Sequence, residues 1–152
     1  MTVITPPEKF EIHNQYSVFL AGSIESDTAE PWQNLVIEAL VDMDVMVLNP
    51  RRASWDSNWK QDINNPKFKE QVSWELKALE EVQRIVMYFD PSTKSPISLL
   101  ELGLFAQSGK MLVCCPEGFW RKGNVDIVCE RYHIRQVQSL QDLIHCIKQE
   151  PL

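Results

Sequence analysis

Short apolar runs punctuate the chain, and the stretches between them carry apolar residues at helical spacing. The runs are SVFLA at 17–21, VMVL at Val45–Leu48, IVMYF at 85–89, MLVCC at 111–115 and a weaker IRQV at 134–137. The first four stop at turn-forming residues: Gly22, Asn49-Pro50, Asp90-Pro91 and Pro116. Apolar runs of four to six residues between turn signals suit strands covered on both faces. Residues 31–41 set Trp32, Leu35, Val36, Ala39 and Leu40 at helical intervals, and 68–82 places Val72, Leu76 and Leu79 on one face. Residues 97–108 end at Gly109, a suitable C-cap. Residues 124–132 and Leu140–Gln149 complete the set, with Ser139 an N-cap for the last.

Strand and helix alternate throughout, which predicts an α/β fold: three layers, with a doubly wound, five-stranded parallel sheet. The expected order is flavodoxin-like, 2-1-3-4-5, in a single domain over 1–152. In such a sheet ligands bind beyond the carboxyl ends of the strands, where the order reverses between the first and third. The residues following the strands therefore face a cleft: Gly22, Ser23 and Glu25; Arg51 and Arg52; Asp90; and Glu117. The helix after the third strand begins near Ser95 and points its N–H groups at the same place. Two segments break the rhythm. One is a loop of about 16 residues over 51–66, RRASWDSNWKQDINNP, long enough to be a functional lid. The other is the aromatic and basic turn EGFWRKG at 117–123.

Composition narrows the chemistry. Of 152 residues, 44% are hydrophobic and 24% charged, as in ordinary globular proteins. The net charge of −6 argues against nucleic acid as partner. No apolar run approaches the roughly 18 residues of a membrane span, and the N-terminus lacks a secretory pattern. A cytoplasmic protein is expected, with Cys114, Cys115, Cys129 and Cys146 reduced and buried. His13, His133 and His145 are too scattered for a metal site, and no metal or organic cofactor is expected. G-x-G-x-x-G, G-x-x-x-x-G-K-[ST] and G-x-S-x-G are all missing, which disfavours dinucleotide, P-loop and nucleophile-elbow chemistry.

What remains is a set of carboxyls near the strand ends: Glu25, Glu75, Asp90 and Glu101. Glu101 is the most unusual, the only charge in SPISLLELG at 95–103. Burial raises such a carboxyl's pKa and a helix N-terminus lowers it. Ionised and partly desolvated, it is a competent nucleophile toward an electrophilic sugar carbon. On spacing alone it is equally a helix residue pairing with Lys110 or solvent. Arg51 and Arg52 could hold a phosphate or form a surface ion pair. Trp55 and Trp59 could stack on a base or anchor the loop. Asp90 suits either a sugar hydroxyl or turn capping.

VFLAGSIE, SPISLLELGLFAQSGKMLVCC and GFWRKGNVDIV together resemble the nucleoside 2-deoxyribosyltransferase-like proteins, over about 18–132. The resemblance makes Glu101, in E-L-G, the nucleophile. It would attack C1′ of a 2′-deoxynucleoside, displace the base and hold the sugar as an ester until a second base or water takes it. Glu75 falls nearest the family's base-contacting acid on the helix before strand three, displaced by about one residue. Ser95 stands where transferases of the family have an aspartate. Related deoxynucleoside-monophosphate hydrolases have a serine there that meets the 5′-phosphate. Nucleosides and their 5′-monophosphates both stay open as substrates. Phe19 occupies the place of a family aromatic whose hydroxyl orients the nucleophile, and it has no hydroxyl. Asn124 matches an asparagine given across a subunit interface, so the resemblance implies a homo-oligomer, a dimer or higher; a helix N-cap is the plain alternative. Two further readings of function remain: a nucleotide-binding module that has lost turnover, and an N-glycoside hydrolase of ribosyl nucleotides.

Overall fold

A computed structural model of the protein describes residues 1–24, 31–52 and 58–150. Six parallel strands form one sheet: β1 (Thr2–Ile4), β2 (Tyr16–Gly22), β3 (Val45–Leu48), β4 (Arg84–Tyr88), β5 (Met111–Cys114) and β6 (Arg135–Val137). Their order is β1-β3-β2-β4-β5-β6. The five expected strands lie in the expected order. The correction is one added edge strand, β1, which pairs with β3 through Thr2–Met46, Val3–Val47 and Ile4–Leu48. Thr2 and Val3 are exposed, so this strand carries no apolar run that would announce it.

The connecting helices are α1 (Trp32–Ala39), α2 (Pro66–Glu81), α3 (Pro96–Phe105), α4 (Lys122–Arg131) and α5 (Leu140–Gln149). They divide between the two faces. Trp74, Ala78 and Leu79 of α2, Leu102 of α3 and Val125 of α4 pack on Phe19, Ile85, Met87 and Val113. Trp32 and Val36 of α1, with Leu143 and Ile147 of α5, pack on Val18, Leu20, Val86 and Leu112. Central strands therefore lose water on both sides, which explains their unbroken apolar runs. Each fully buried large side chain contributes about 1.5–3 kcal/mol.

Local chemistry sets the helix ends. Asn65 caps α2, its side chain accepting from the N–H groups of Lys67 (3.1 Å) and Phe68 (3.3 Å), and Pro66 fills the first helical position. Ser139 caps α5 by accepting from Asp142 N–H at 3.1 Å. Gly109 is not the C-cap expected for α3: the helix ends at Phe105 with Ala106 at the cap position, and Gly109 takes φ +73° in the turn leading to β5. The inner face of α2 differs from the one expected. Gln71, Trp74, Ala78 and Leu79 are buried, whereas Leu76 is exposed. All four cysteines are buried free thiols. Burial pushes Cys114 and Cys115 up to about 12, so they are poor nucleophiles. No helix among the described residues is long and apolar enough to cross a membrane.

Candidate active site

The carboxyl ends of β2 and β4 lie side by side, with Gly22 opposite Tyr88. Gly22 adopts φ +128°, and a Cβ there would stand 2.1 Å from the Tyr88 carbonyl oxygen. Only glycine permits this approach. Beyond it is a small, partly open cavity of about 30 Å³. Its floor is Ala21 and Gly22, with Pro50 on one side; α2 supplies Glu75, and α3 supplies Ile97, Ser98 and Glu101. That volume holds about two waters, so a nucleoside enters only if the walls part.

Glu75 and Glu101 thus share one cavity, and both are partly buried. Burial, and next the charge of Glu75, push the Glu101 carboxyl up to about 8. Burial also raises Glu75, opposed by a hydrogen bond from Gln71. Gln71 Nε2 donates to Glu75 Oε1 at 2.7 Å and to the Pro50 carbonyl at 3.0 Å. Lys110 is not the partner of Glu101: its Nζ donates to the carbonyls of Leu79 (2.9 Å) and Glu80 (2.7 Å).

Next to the cavity in sequence lies a buried hydroxyl cluster. Ser23 Oγ is 2.7 Å from Ser95 Oγ and 2.9 Å from Thr93 Oγ1, and the last two are 2.7 Å apart. Asp90 N–H donates to Ser23 Oγ, and Thr93 Oγ1 donates to the Asp90 carbonyl. Ser95 has φ +46° and precedes Pro96, the first residue of α3. Its hydroxyl is already engaged in this cluster. The Asp90 carboxylate caps its own turn, with Oδ1 accepting from Ser92 N–H (2.8 Å) and Ser92 Oγ (2.6 Å).

The other expected residues lie elsewhere. Phe19 is wholly buried in the core, 6.4 Å from Trp74 between ring centroids. Arg52 pairs with Glu70 at 3.1 Å and lies over the Trp59 ring. The Arg51 backbone N–H donates to Asn49 Oδ1. Trp59 therefore anchors the arginine, while Trp55 and Glu25 fall outside the described residues. Asn124 is not an N-cap; it is the third residue of α4, whose cap position is Arg121. It lines a separate groove of about 320 Å³ between α3 and α4, with Leu99, Leu102 and Arg121. No cluster of metal-binding side chains occurs among the described residues.

Two contacts at the candidate site were not given a role by the sequence reading. Thr93 follows the third apolar run and so was expected near the cleft, but its place in the hydroxyl cluster was not foreseen. Gln71 holds Glu75, and its signal was available: the two stand four residues apart on one helix, hence on one face.

A family model described as nucleoside 2-deoxyribosyltransferase like matches residues 15–119. This chain belongs to that family. The match takes in Gly22, Gln71, Glu75 and Glu101, so the cavity of this deoxyribosyltransferase-like protein lies wholly inside it; Asn124 lies beyond its end. The fold is also that of a solved structure, a conserved protein from Enterococcus faecalis V583. The TM-score is 0.63 at 16% identity, covering 89% of this chain and 98% of that one. A search of curated proteins gives no match.

Proposed function

We propose that the protein cleaves or transfers at the N-glycosidic bond of 2′-deoxynucleosides or their 5′-monophosphates, with Glu101 as covalent nucleophile. The observation that carries this is that Glu101 and Glu75 line one cavity, with no cation among its described wall residues, at the strand ends of a deoxyribosyltransferase-like fold. An oxygen of ionised Glu101 bonds to C1′. The C1′–N bond breaks and its electron pair goes to the base, which takes a proton from Glu75. Positive charge grows on the sugar beside a carboxylate, which stabilises it. In the second half Glu75 takes a proton from water or from an acceptor base. That acceptor attacks C1′, and the bond electrons return to Glu101.

Incubation with deoxynucleosides and deoxynucleotides, followed by chromatography of released base and mass spectrometry of the denatured protein, tests this. The wild type gains the mass of one deoxyribosyl group, with or without phosphate, and Glu101→Gln does not. Full base release by a folded Glu101→Gln would overturn the mechanism.

A homo-oligomer belongs to the same proposal. Asn124 stands on the far side of α3 from the Glu101 cavity, where a neighbouring copy would use it. A binding module without turnover is the second reading. The buried, hydroxyl-free Phe19 and the engaged Ser95 favour it. Ligand-induced thermal shifts without base release would establish it.

A further inference from the structure

The cavity holds two carboxyls, and one amide grips only one of them. Gln71 is 4% exposed, and both hydrogens of its Nε2 are spoken for, one by Glu75 Oε1 and one by the Pro50 carbonyl. This fixes the amide's orientation, because the flipped form would press oxygen against the Pro50 carbonyl. Its Oε1 is left buried with no hydrogen-bond partner. An unpaired buried acceptor is destabilising, and an apolar side chain of that shape would avoid it. What the amide gains in return is its two donated bonds, to the Pro50 carbonyl and to Glu75.

Among the described residues, the rest of the cavity lining is uncharged. The strand β2 side offers Ala21, Gly22 and Ile24; the end of β3 offers Pro50; α3 offers Ile97 and Ser98. Arg52, on the loop after β3, is turned to Glu70 and Trp59. Two carboxyls in a small cavity with no cation among its described wall residues do not both ionise readily, so near neutral pH they hold one proton between them.

We propose that Gln71 is the positioning residue of this pair: by donating to Glu75 alone, it settles which carboxyl carries the shared proton. A donor favours the ionised form of its acceptor, so Glu75 holds the charge and Glu101 the proton. The directions agree, since Gln71 pulls Glu75 down against its burial and the charge on Glu75 pushes Glu101 up. The inference deepens the N-glycosidic reading, on which its catalytic meaning rests. At rest the nucleophile is capped by a proton. On attack that proton passes from Glu101 to Glu75, one O–H bond breaking as the other forms. Glu75, kept the stronger acid, then delivers it to the leaving base.

The test needs no substrate, so its failure is separate from failure of the glycosidic reading, which would appear as no base release. Carboxyl titrations are followed by NMR in protein labelled at glutamate Cδ, with signals assigned through Glu75→Gln and Glu101→Gln. In the wild type Glu75 titrates below Glu101. In Gln71→Met the Glu75 midpoint rises and the Glu101 midpoint falls, each by about one unit. Opposed movement is something a purely structural residue would not produce. If Gln71→Met folds poorly, Gln71→Asn keeps the amide but withdraws it, and the same opposed movement is expected. Midpoints that stay fixed, or move together, in a folded variant overturn the proposal.

Discussion

Glu101 is a carboxyl placed where its charge is unwelcome. Its ordinary value is 4.5, and the folded chain lifts it to about 8. The sign of the linkage follows. A raised carboxyl favours the folded state below pH 4.5, and that advantage drains away as pH rises through about 8. Glu101→Gln is therefore expected to stabilise the protein above pH 8 by about 2–5 kcal/mol, with the gain vanishing near pH 4. Urea unfolding of both proteins at several pH values checks this. A constant difference across pH would mean that the carboxyl is not desolvated. That a group proposed as the nucleophile should weaken the fold fits the familiar trade of stability for function. The position of Glu101 at the start of a strand-end helix was legible beforehand from a single charge among leucines, but spacing alone left pairing with Lys110 or solvent equally open. Gln71 was less legible. Its importance depends on which face of α2 turns inward, and exposed Leu76 pointed to the wrong one.

At the scale of elements, α3 is held at its start by Trp120 as well as by the hydroxyl cluster. Trp120 Nε1 donates to the Lys94 carbonyl at 2.8 Å. Its ring lies 4.5 Å from Lys94 Nζ and 4.5 Å from the Arg121 guanidinium carbon. This aromatic staple joins the turn after β5 to the segment leading into α3. Trp120→Ala is expected to lower stability by about 1–2 kcal/mol. It should also speed hydrogen exchange at Thr93, whose N–H donates to the Asp90 carbonyl. Unchanged exchange there would show that the hydroxyl cluster holds the turn unaided. The central strands and all five helices were readable from apolar runs and caps, since their burial is written residue by residue. The edge strand β1 was not, because three largely exposed residues owe their pairing to Val45–Leu48 rather than to their own pattern. The hydroxyl cluster was unreadable for a like reason, as Ser23 meets Thr93 and Ser95 only after the chain has crossed the sheet.

At the scale of the molecule, one flank is more apolar than an isolated chain favours. Ile97, Leu100 and Leu104 are each more than half exposed along α3, and Ile127 of α4 is 70% exposed. The groove beside Asn124 runs between the same two helices. Exposed apolar side chains at i, i+3 and i+7 share one face of a helix, and such a face suits association. Light scattering behind size exclusion is expected to give at least a dimer for the wild type. Leu104→Lys with Ile127→Lys should give a monomer whose base-release rate falls at least tenfold. A dimer that survives both lysines would place the contact elsewhere.

The close approach at Gly22 has a consequence for how this pocket can change. At Gly22 its floor is main chain pressed against main chain, 2.1 Å from where a side-chain carbon would begin. No substitution can reshape that surface without prying two strands apart. Whatever diversity of ligands the scaffold supports must then be written from the ceiling, in the side chains that α2 and α3 lower onto it. A mutational library aimed at altered preference belongs at residues 97 and 98, and one aimed at Gly22 should return mostly unfolded protein.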